Sequence, residues 1–221
     1  MVETIRGYHL KDRKGLNHWD ALLEEWLLAH ERFCRIMKGC DDPAAYWYTE
    51  IPNVSILGAA AWRCGRIALQ EFSTKKKVRG EEPWAGRGDL WICTDTNWKE
   101  ELIEAKHKFV SLSGAKDKDG LPTTIKNSME EATLAAKEAR GGQRDVTALA
   151  VVFASLKAPK SANDKIDQLI KDFCETIKSS ADYHASAWCF PKETRELQHP
   201  ETGKYFPGIA MLIKNISTKR T

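Results

Sequence analysis

The chain contains GDLWIC at residues 88–93 and ELIEAK at residues 101–106, two segments that mix apolar side chains with acidic ones. A polar break separates them, which is typical of two strands joined by a turn. With the turn near residue 96 or 97, Asp89 comes within reach of Glu104 on the opposite strand. The two segments therefore predict a β-hairpin.

Side-chain direction brings three polar groups of this hairpin together. Because successive side chains of a strand point to opposite faces, Glu104 and Lys106 share one face while Ile103 and Ala105 share the other. Asp89 can join the face that carries Glu104 and Lys106. Two carboxylates beside an ammonium group can hold a divalent metal ion next to a reactive water.

The segment before the hairpin, residues 56–72, has helical periodicity. Glu71 projects inside its apolar stripe, where a carboxylate is unfavourable unless a cation or hydrogen-bond donors meet it. We therefore expect a helix that presents Glu71 to the acids of the hairpin. At about 100° per residue the stripe consists of Leu57, Ala60, Ala61, Cys64, Ala68 and Phe72.

The size of the chain suits one compact α/β domain. Its 221 residues are 42% hydrophobic, which is enough to bury a full core. We expect a core over residues 55–221, with residues 1–54 as an N-terminal helical addition packed on it. The 34 basic and 31 acidic residues leave a net charge of +3, which gives only a weak attraction to polyanions.

Two basic clusters flank the proposed acidic site in the sequence. They are Lys75-Lys76-Lys77-Val78-Arg79, with Arg87 nearby, and Lys106-His107-Lys108. Such clusters can seat phosphates around a metal ion. They can equally be solvated charged loops, and the sequence leaves both interpretations open.

Other kinds of site find little support. The six cysteines form no Cys-x-x-Cys pair and no zinc-like spacing with histidine, so neither zinc nor disulfides are expected. The sequence has no phosphate-binding loop, dinucleotide fingerprint, nucleophile elbow or zinc-protease helix. With no signal peptide and no long uncharged apolar stretch, the expected location is the cytoplasm.

The remaining segments predict helices and strands around one central strand. The run at residues 146–155 is almost wholly apolar, as in a strand covered on both faces. The aromatic group Tyr46-Trp47-Tyr48 can stack on bases but is more typical of a covering layer. Helices are predicted at residues 17–38, 125–140 and 164–179, and further strands at residues 184–190 and 208–216.

The order of these features resembles the PD-(D/E)xK nuclease superfamily, which has the restriction-endonuclease-like fold. The similarity rests on Glu71, Asp89 and Glu104-Ala105-Lys106, followed by helix, strand, helix and strands, and covers about residues 55 to 190. It implies a central mixed sheet flanked by helices. The chain differs from the family pattern at Gly88, where the family name has proline.

The resemblance also implies a site and an activity. Asp89, Glu104, the Ala105 carbonyl and Glu71 would bind Mg²⁺ or Mn²⁺, and Lys106 would orient the attacking water. The chain is then expected to be a hydrolase, a metal-dependent endonuclease acting on DNA, with nucleic acid as its partner and no membrane. A homodimer stays open. The alternatives are a catalytically inactive nuclease-fold protein that binds nucleic acid or a protein partner, and a purely structural protein.

Overall fold

A seven-stranded sheet runs through the molecule, with helices packed on both of its faces. The computed structural model describes residues 3–11, 13–78, 80–94, 99–118, 120–141 and 146–216. The strands in these ranges are β1 (Ile5–Leu10), β2 (Ile67–Lys76), β3 (Trp84–Cys93), β4 (Glu100–Ser111), β5 (Thr147–Ala158), β6 (Ala185–Phe190) and β7 (Tyr205–Asn215). The α-helices are α1 (Arg13–Leu16), α2 (Asp20–Ile36), α3 (Glu50–Arg63), α4 (Thr123–Gly141) and α5 (Ile166–Ser179).

The strands follow the order β1-β6-β7-β5-β4-β3-β2 across the sheet. Neighbours are antiparallel except for β4 and β5, which are parallel. A parallel pair needs a crossover connection, and α4 lies in the connection between β4 and β5. The mixed sheet with flanking helices confirms the predicted α/β class.

Two hydrophobic layers enclose β5, the middle strand of the sheet. Leu149, Val151 and Phe153 face the layer that contains α2 and α3, while Ala150 and Val152 face the layer that contains α4 and α5. Burial on both faces explains why the strand has a continuous apolar run. The central strand predicted from that run is confirmed.

Most of the other predicted elements are also present. The predicted helices correspond to α2, which follows a 3-10 turn at Asn17–Trp19, and to α4 and α5. The last two predicted strands are β6 and β7. The hairpin forms in the expected register, since Leu90 of β3 lies opposite Ile103 of β4. Its turn, predicted near residues 96 and 97, lies outside the described residues.

The first part of the chain contributes a strand as well as helices. β1 pairs with β6 at the edge of the central sheet, and the sequence analysis did not predict this strand. α2 completely buries Leu22 and Trp26 in the layer that it shares with α3. The expected boundary between residues 54 and 55 falls inside α3.

The prediction of a helix over residues 56–72 is correct only up to Arg63. α3 begins six residues earlier and ends at Arg63, because Gly65 has a φ of +75° and reverses the chain. Strand β2 then begins at Ile67, so Glu71 is a strand residue. Its φ of +51° is left-handed, and Glu71 and the opposite Asp89 interrupt the β2–β3 pairing without a change of register.

β3 and β4 separate after a short stretch of pairing. The pairing covers Leu90–Cys93 on β3, whereas β3 pairs with β2 from Trp84 to Cys93 except at Asp89. Gly88 allows the Phe72 ring of β2 to lie against the backbone of β3, because a Cβ at Gly88 would lie only 2.6 Å from that ring. From Glu104 onward, β4 has no described strand on the side of β3.

Within the described ranges, no helix combines the length and the apolar character that crossing a membrane requires.

Candidate functional site

The point where β3 and β4 separate brings two predicted site segments into contact. Asp89 is the first β3 residue beyond the paired stretch, and its Oδ2 accepts a hydrogen bond of 2.7 Å from the backbone N–H of Ala105. Asp89 thus takes the place of a strand partner for the free edge of β4. This hydrogen bond holds the Asp89 carboxylate beside the strand that carries Glu104 and Lys106.

Glu104 is a buried acid with a cationic neighbour. Only 3% of the residue is exposed, and burial raises the pKa of its carboxyl to about 7. The nearby Asp89 carboxylate raises this pKa too, while Lys76 and Lys106 lower it. The Lys76 Nζ lies 2.9 Å from Glu104 Oε1. Glu104 can therefore exchange a proton near neutral pH.

Lys106 lies between a carbonyl and a third acid. Its Nζ donates a hydrogen bond of 2.8 Å to the Ala105 carbonyl and lies 3.7 Å from Glu50 Oε2. Burial raises the pKa of Glu50, Lys106 lowers it and Asp89 raises it. Glu50 is therefore close to Lys106 and Asp89, although the sequence did not predict it as a site residue.

Glu71 does not take the position that was predicted for it. Its Oε2 lies 2.5 Å from Arg87 Nε on the neighbouring strand, and both side chains are well exposed, at 36% and 70%. The expectation failed because the chain turns at Gly65 and places Glu71 on β2. Glu50, in the first turn of α3, supplies the helix acid instead. Pro52 signalled this earlier start, because proline is tolerated in the first turn of a helix.

Lys76 is the second site residue that the sequence analysis did not single out. It belongs to the first basic cluster, whose Lys75 is exposed and whose Arg79 lies outside the described residues. The end of β2 is fixed to α4, since the Lys77 N–H donates to the Glu138 carbonyl at 2.8 Å. On the strand end that is held in this way, the Lys76 ammonium contacts Glu104. Lys76 could have been found from the sequence, because a buried carboxylate such as Glu104 needs a cationic partner.

A buried network anchors the start of β4 close to these residues. The Glu101 carboxylate is fully buried and accepts hydrogen bonds from Trp19 Nε1 at 2.9 and 3.0 Å. His18 Nε2 lies 2.7 Å from the same carboxylate, and Arg66 NH1 lies 3.8 Å away. Several partners hold this charge, so the network fixes the strand rather than offering a free reactive group.

Among the residues that the structure describes, the site contains three acids and two lysines. The acids are Glu50, Asp89 and Glu104, and the cations are Lys76 and Lys106. In the described parts of the chain, no group of three or more His, Cys, Asp and Glu side chains is arranged to hold a metal ion. The chemistry present is a pair of adjacent carboxylates, a main-chain carbonyl and two ammonium groups that contact them.

Comparisons of this chain with protein-family models, with curated proteins and with solved structures found no match.

Proposed function

We propose that the chain is a Mg²⁺- or Mn²⁺-dependent endonuclease that hydrolyses phosphodiester bonds in DNA. One observation carries the proposal: Asp89, Glu104 and Lys106 meet where β3 leaves β4, and Asp89 is hydrogen bonded to the backbone between the other two. A strand with Asp89 beside a neighbouring strand with Glu104-Ala105-Lys106 is the pattern on which the resemblance to the PD-(D/E)xK superfamily rests.

The donor groups fit a hard divalent cation. Mg²⁺ prefers oxygen ligands and is commonly held by one or two carboxylates together with substrate phosphates. Asp89, Glu104 and the Ala105 carbonyl would supply such oxygens. Each of them already contacts a positively polarised group, namely the Ala105 N–H, Lys76 and Lys106 respectively. Cations are thus favoured at these oxygens.

Each residue of the site would then have a separate role in hydrolysis. A bound metal ion would neutralise phosphate charge and lower the pKa of a water molecule. Lys106, whose side chain is 31% exposed, can reach a phosphate from solvent and stabilise negative charge that develops on it. Glu50, 3.7 Å from the Lys106 ammonium, would orient this side chain. Glu104, whose pKa burial raises to about 7 when no cation is bound, would be held ionised by the metal ion and would serve as its ligand.

A plasmid-nicking assay with Mg²⁺ and with Mn²⁺ tests the proposal. Lys106→Ala and Glu104→Gln should each lower the cleavage rate by about a hundredfold or more, because they remove groups at the reacting phosphate. Glu71→Gln is the matched control, since it removes an acid of the neighbouring strand that pairs with Arg87 instead. The control should cleave at the wild-type rate.

Calorimetry separates metal binding from catalysis. We expect the wild-type chain to bind Mn²⁺ and the Asp89→Asn variant to bind it at least tenfold more weakly. Undiminished cleavage by Lys106→Ala would count against the assigned site, and no metal uptake by the wild type would count against the activity.

The second candidate function is a nuclease-fold protein that binds nucleic acid without cutting it. The observation in its favour is that Lys76 and Lys106 already contact the oxygens that a metal ion would need. If both lysines stay in place, they compete with the metal ion. DNA binding in EDTA together with no cleavage at any Mg²⁺ or Mn²⁺ concentration would select this candidate.

A further inference from the structure

Five aromatic rings form a continuous surface strip beside the candidate site. His107 contacts Phe109 with ring centroids 4.9 Å apart, and Phe109 contacts Phe206 at 5.6 Å. Phe206 in turn contacts Trp47 at 5.9 Å, and Trp47 contacts His199 at 5.1 Å. These five residues form the aromatic strip.

The aromatic strip is partly open to solvent. Phe109 is 36% exposed, and the other four residues are half-buried. Trp47 and Phe206 pack against the core with only part of their surface. The buried atoms Trp47 Nε1 and His199 Nδ1 have no hydrogen-bond partner among the described residues. The exposed face of Phe109 and the partly exposed neighbouring rings indicate a surface on which a flat ligand can stack.

The strip is continuous with the candidate site through the backbone of β4. His107 directly follows Lys106, and its backbone N–H donates a hydrogen bond to the Glu50 carboxylate. Trp47 lies three residues before Glu50, at the end of the short 3-10 helix Ala45–Trp47. Glu50 therefore links the His107 end of the strip to the Lys106 ammonium, which lies 3.7 Å from its carboxylate.

Cationic side chains flank the rings. Lys108 is exposed next to the rings of His107 and Phe109 on β4, with its side chain on the opposite face of the strand. Lys204 is exposed in the connection before β7, where its carbonyl accepts a hydrogen bond from the His199 N–H at 2.9 Å. Aromatic rings interspersed with lysines are suited to a chain that carries both flat groups and negative charge.

We propose that the aromatic strip binds unpaired bases of a DNA strand whose phosphates extend to the site at Lys106. The proposal rests on the proposed function and deepens it, because it names single-stranded or locally unpaired DNA as the substrate. Bases of an intact duplex are stacked on one another, so their faces are not accessible to such rings. An unpaired base can stack on Phe109 whatever its identity, because every base has a π-face.

Fluorescence anisotropy in EDTA tests this proposal without cleavage. The probe is a labelled oligonucleotide of about 15 nucleotides, offered to the full chain as a single strand or as a blunt duplex, a length chosen to cover one typical binding site. The single strand should bind at least about tenfold more tightly. Phe109→Leu should weaken its binding by about tenfold, which is the loss expected for one stacked base. Phe109→Tyr should bind like the wild type, because it keeps the ring.

Leu134→Ala is the control variant, because Leu134 is 59% exposed on α4 and lies outside the strip. It should leave the affinity unchanged. Equal affinities of wild type and Phe109→Leu, or duplex binding at least as tight as single-strand binding, would overturn the proposal. So would a failure to bind either probe, which would favour a protein partner for the strip.

The two proposals can fail separately. Nicking that needs Lys106, with no effect of Phe109→Leu on binding, would preserve the nuclease and remove the role of the strip. Ring-dependent binding of the single strand without metal-dependent nicking would preserve the role of the strip in binding and remove the nuclease.

Discussion

The ion pair between Lys76 and Glu104 joins two strands that are not neighbours in the sheet. Their side chains are 14% and 4% exposed, so both groups have lost most of their water. Removing one partner of a buried pair typically costs about 3–5 kcal/mol, because the other charge is left without compensation. Glu104 can avoid part of this cost by taking up a proton, since its pKa is already about 7.

Lys76→Met should therefore destabilise the fold in a pH-dependent way. At pH 8 Glu104 is ionised, and we expect the free energy of unfolding to fall by about 2 kcal/mol. At pH 5 Glu104 is protonated in the folded state, so the loss should be smaller. Urea unfolding at both pH values measures the difference. The double variant Lys76→Met/Glu104→Gln should regain most of the stability at pH 8, and an equal loss at both pH values would show that packing of the Lys76 stem dominates.

At the scale of elements, the sequence predicts those parts whose pattern follows from burial. β5 and the β3–β4 hairpin are examples, since their apolar residues face the two layers. β1 was missed because it lies at the sheet edge and only half-buries alternate residues, which leaves little apolar signal. The apolar stripe that was predicted for a helix over residues 56–72 continues past Gly65 by coincidence, because α3 ends at Arg63 and the later apolar residues belong to β2. A glycine at this position can end a helix. Because of that error, the prediction selected Glu71 as the helix acid of the site, whereas Glu50 is the helix acid that lies there.

A buried histidine on α2 gives a second pH-dependent prediction. His30 is fully buried, its ring lies 4.6 Å from that of Trp26, and neither ring nitrogen has a hydrogen-bond partner in the described structure. Burial lowers the pKa of His30 to about 3 from 6.5. Between these values the unfolded chain binds a proton that the folded chain does not, so stability must fall as the pH falls.

The contribution of His30 can be isolated with the His30→Phe variant, which keeps a ring beside Trp26 but cannot titrate. From pH 7 to pH 4.5 the wild type should lose about 3 kcal/mol more of its unfolding free energy than the variant does. Urea titrations at pH 7, 6, 5 and 4.5 would measure this. Parallel pH profiles of the two proteins would contradict a neutral His30 in the folded state.

At the scale of the whole molecule, the N-terminal part and the rest of the chain share one core. β1 extends the central sheet, and α2 lies in the layer that also contains α3 and residues of β5. The layer contains Leu22, Leu23, Trp26 and Leu27 of α2, each no more than 1% exposed. Removing such residues exposes the sheet face that they cover.

A chain reduced to residues 55–221 should for this reason fail to fold cooperatively. It would lose β1, α2 and the first turn of α3, and with that turn it would lose Glu50 of the candidate site. A shorter deletion of residues 1–11 is the comparison, because it removes only the edge strand β1, which half-buries alternate residues. We expect the shorter deletion to keep a cooperative thermal transition at a lower midpoint, and the longer one to show none by circular dichroism and to be digested rapidly by protease. Cooperative melting of residues 55–221 with native near-ultraviolet dichroism would instead show that the first fifty-four residues are a separable addition.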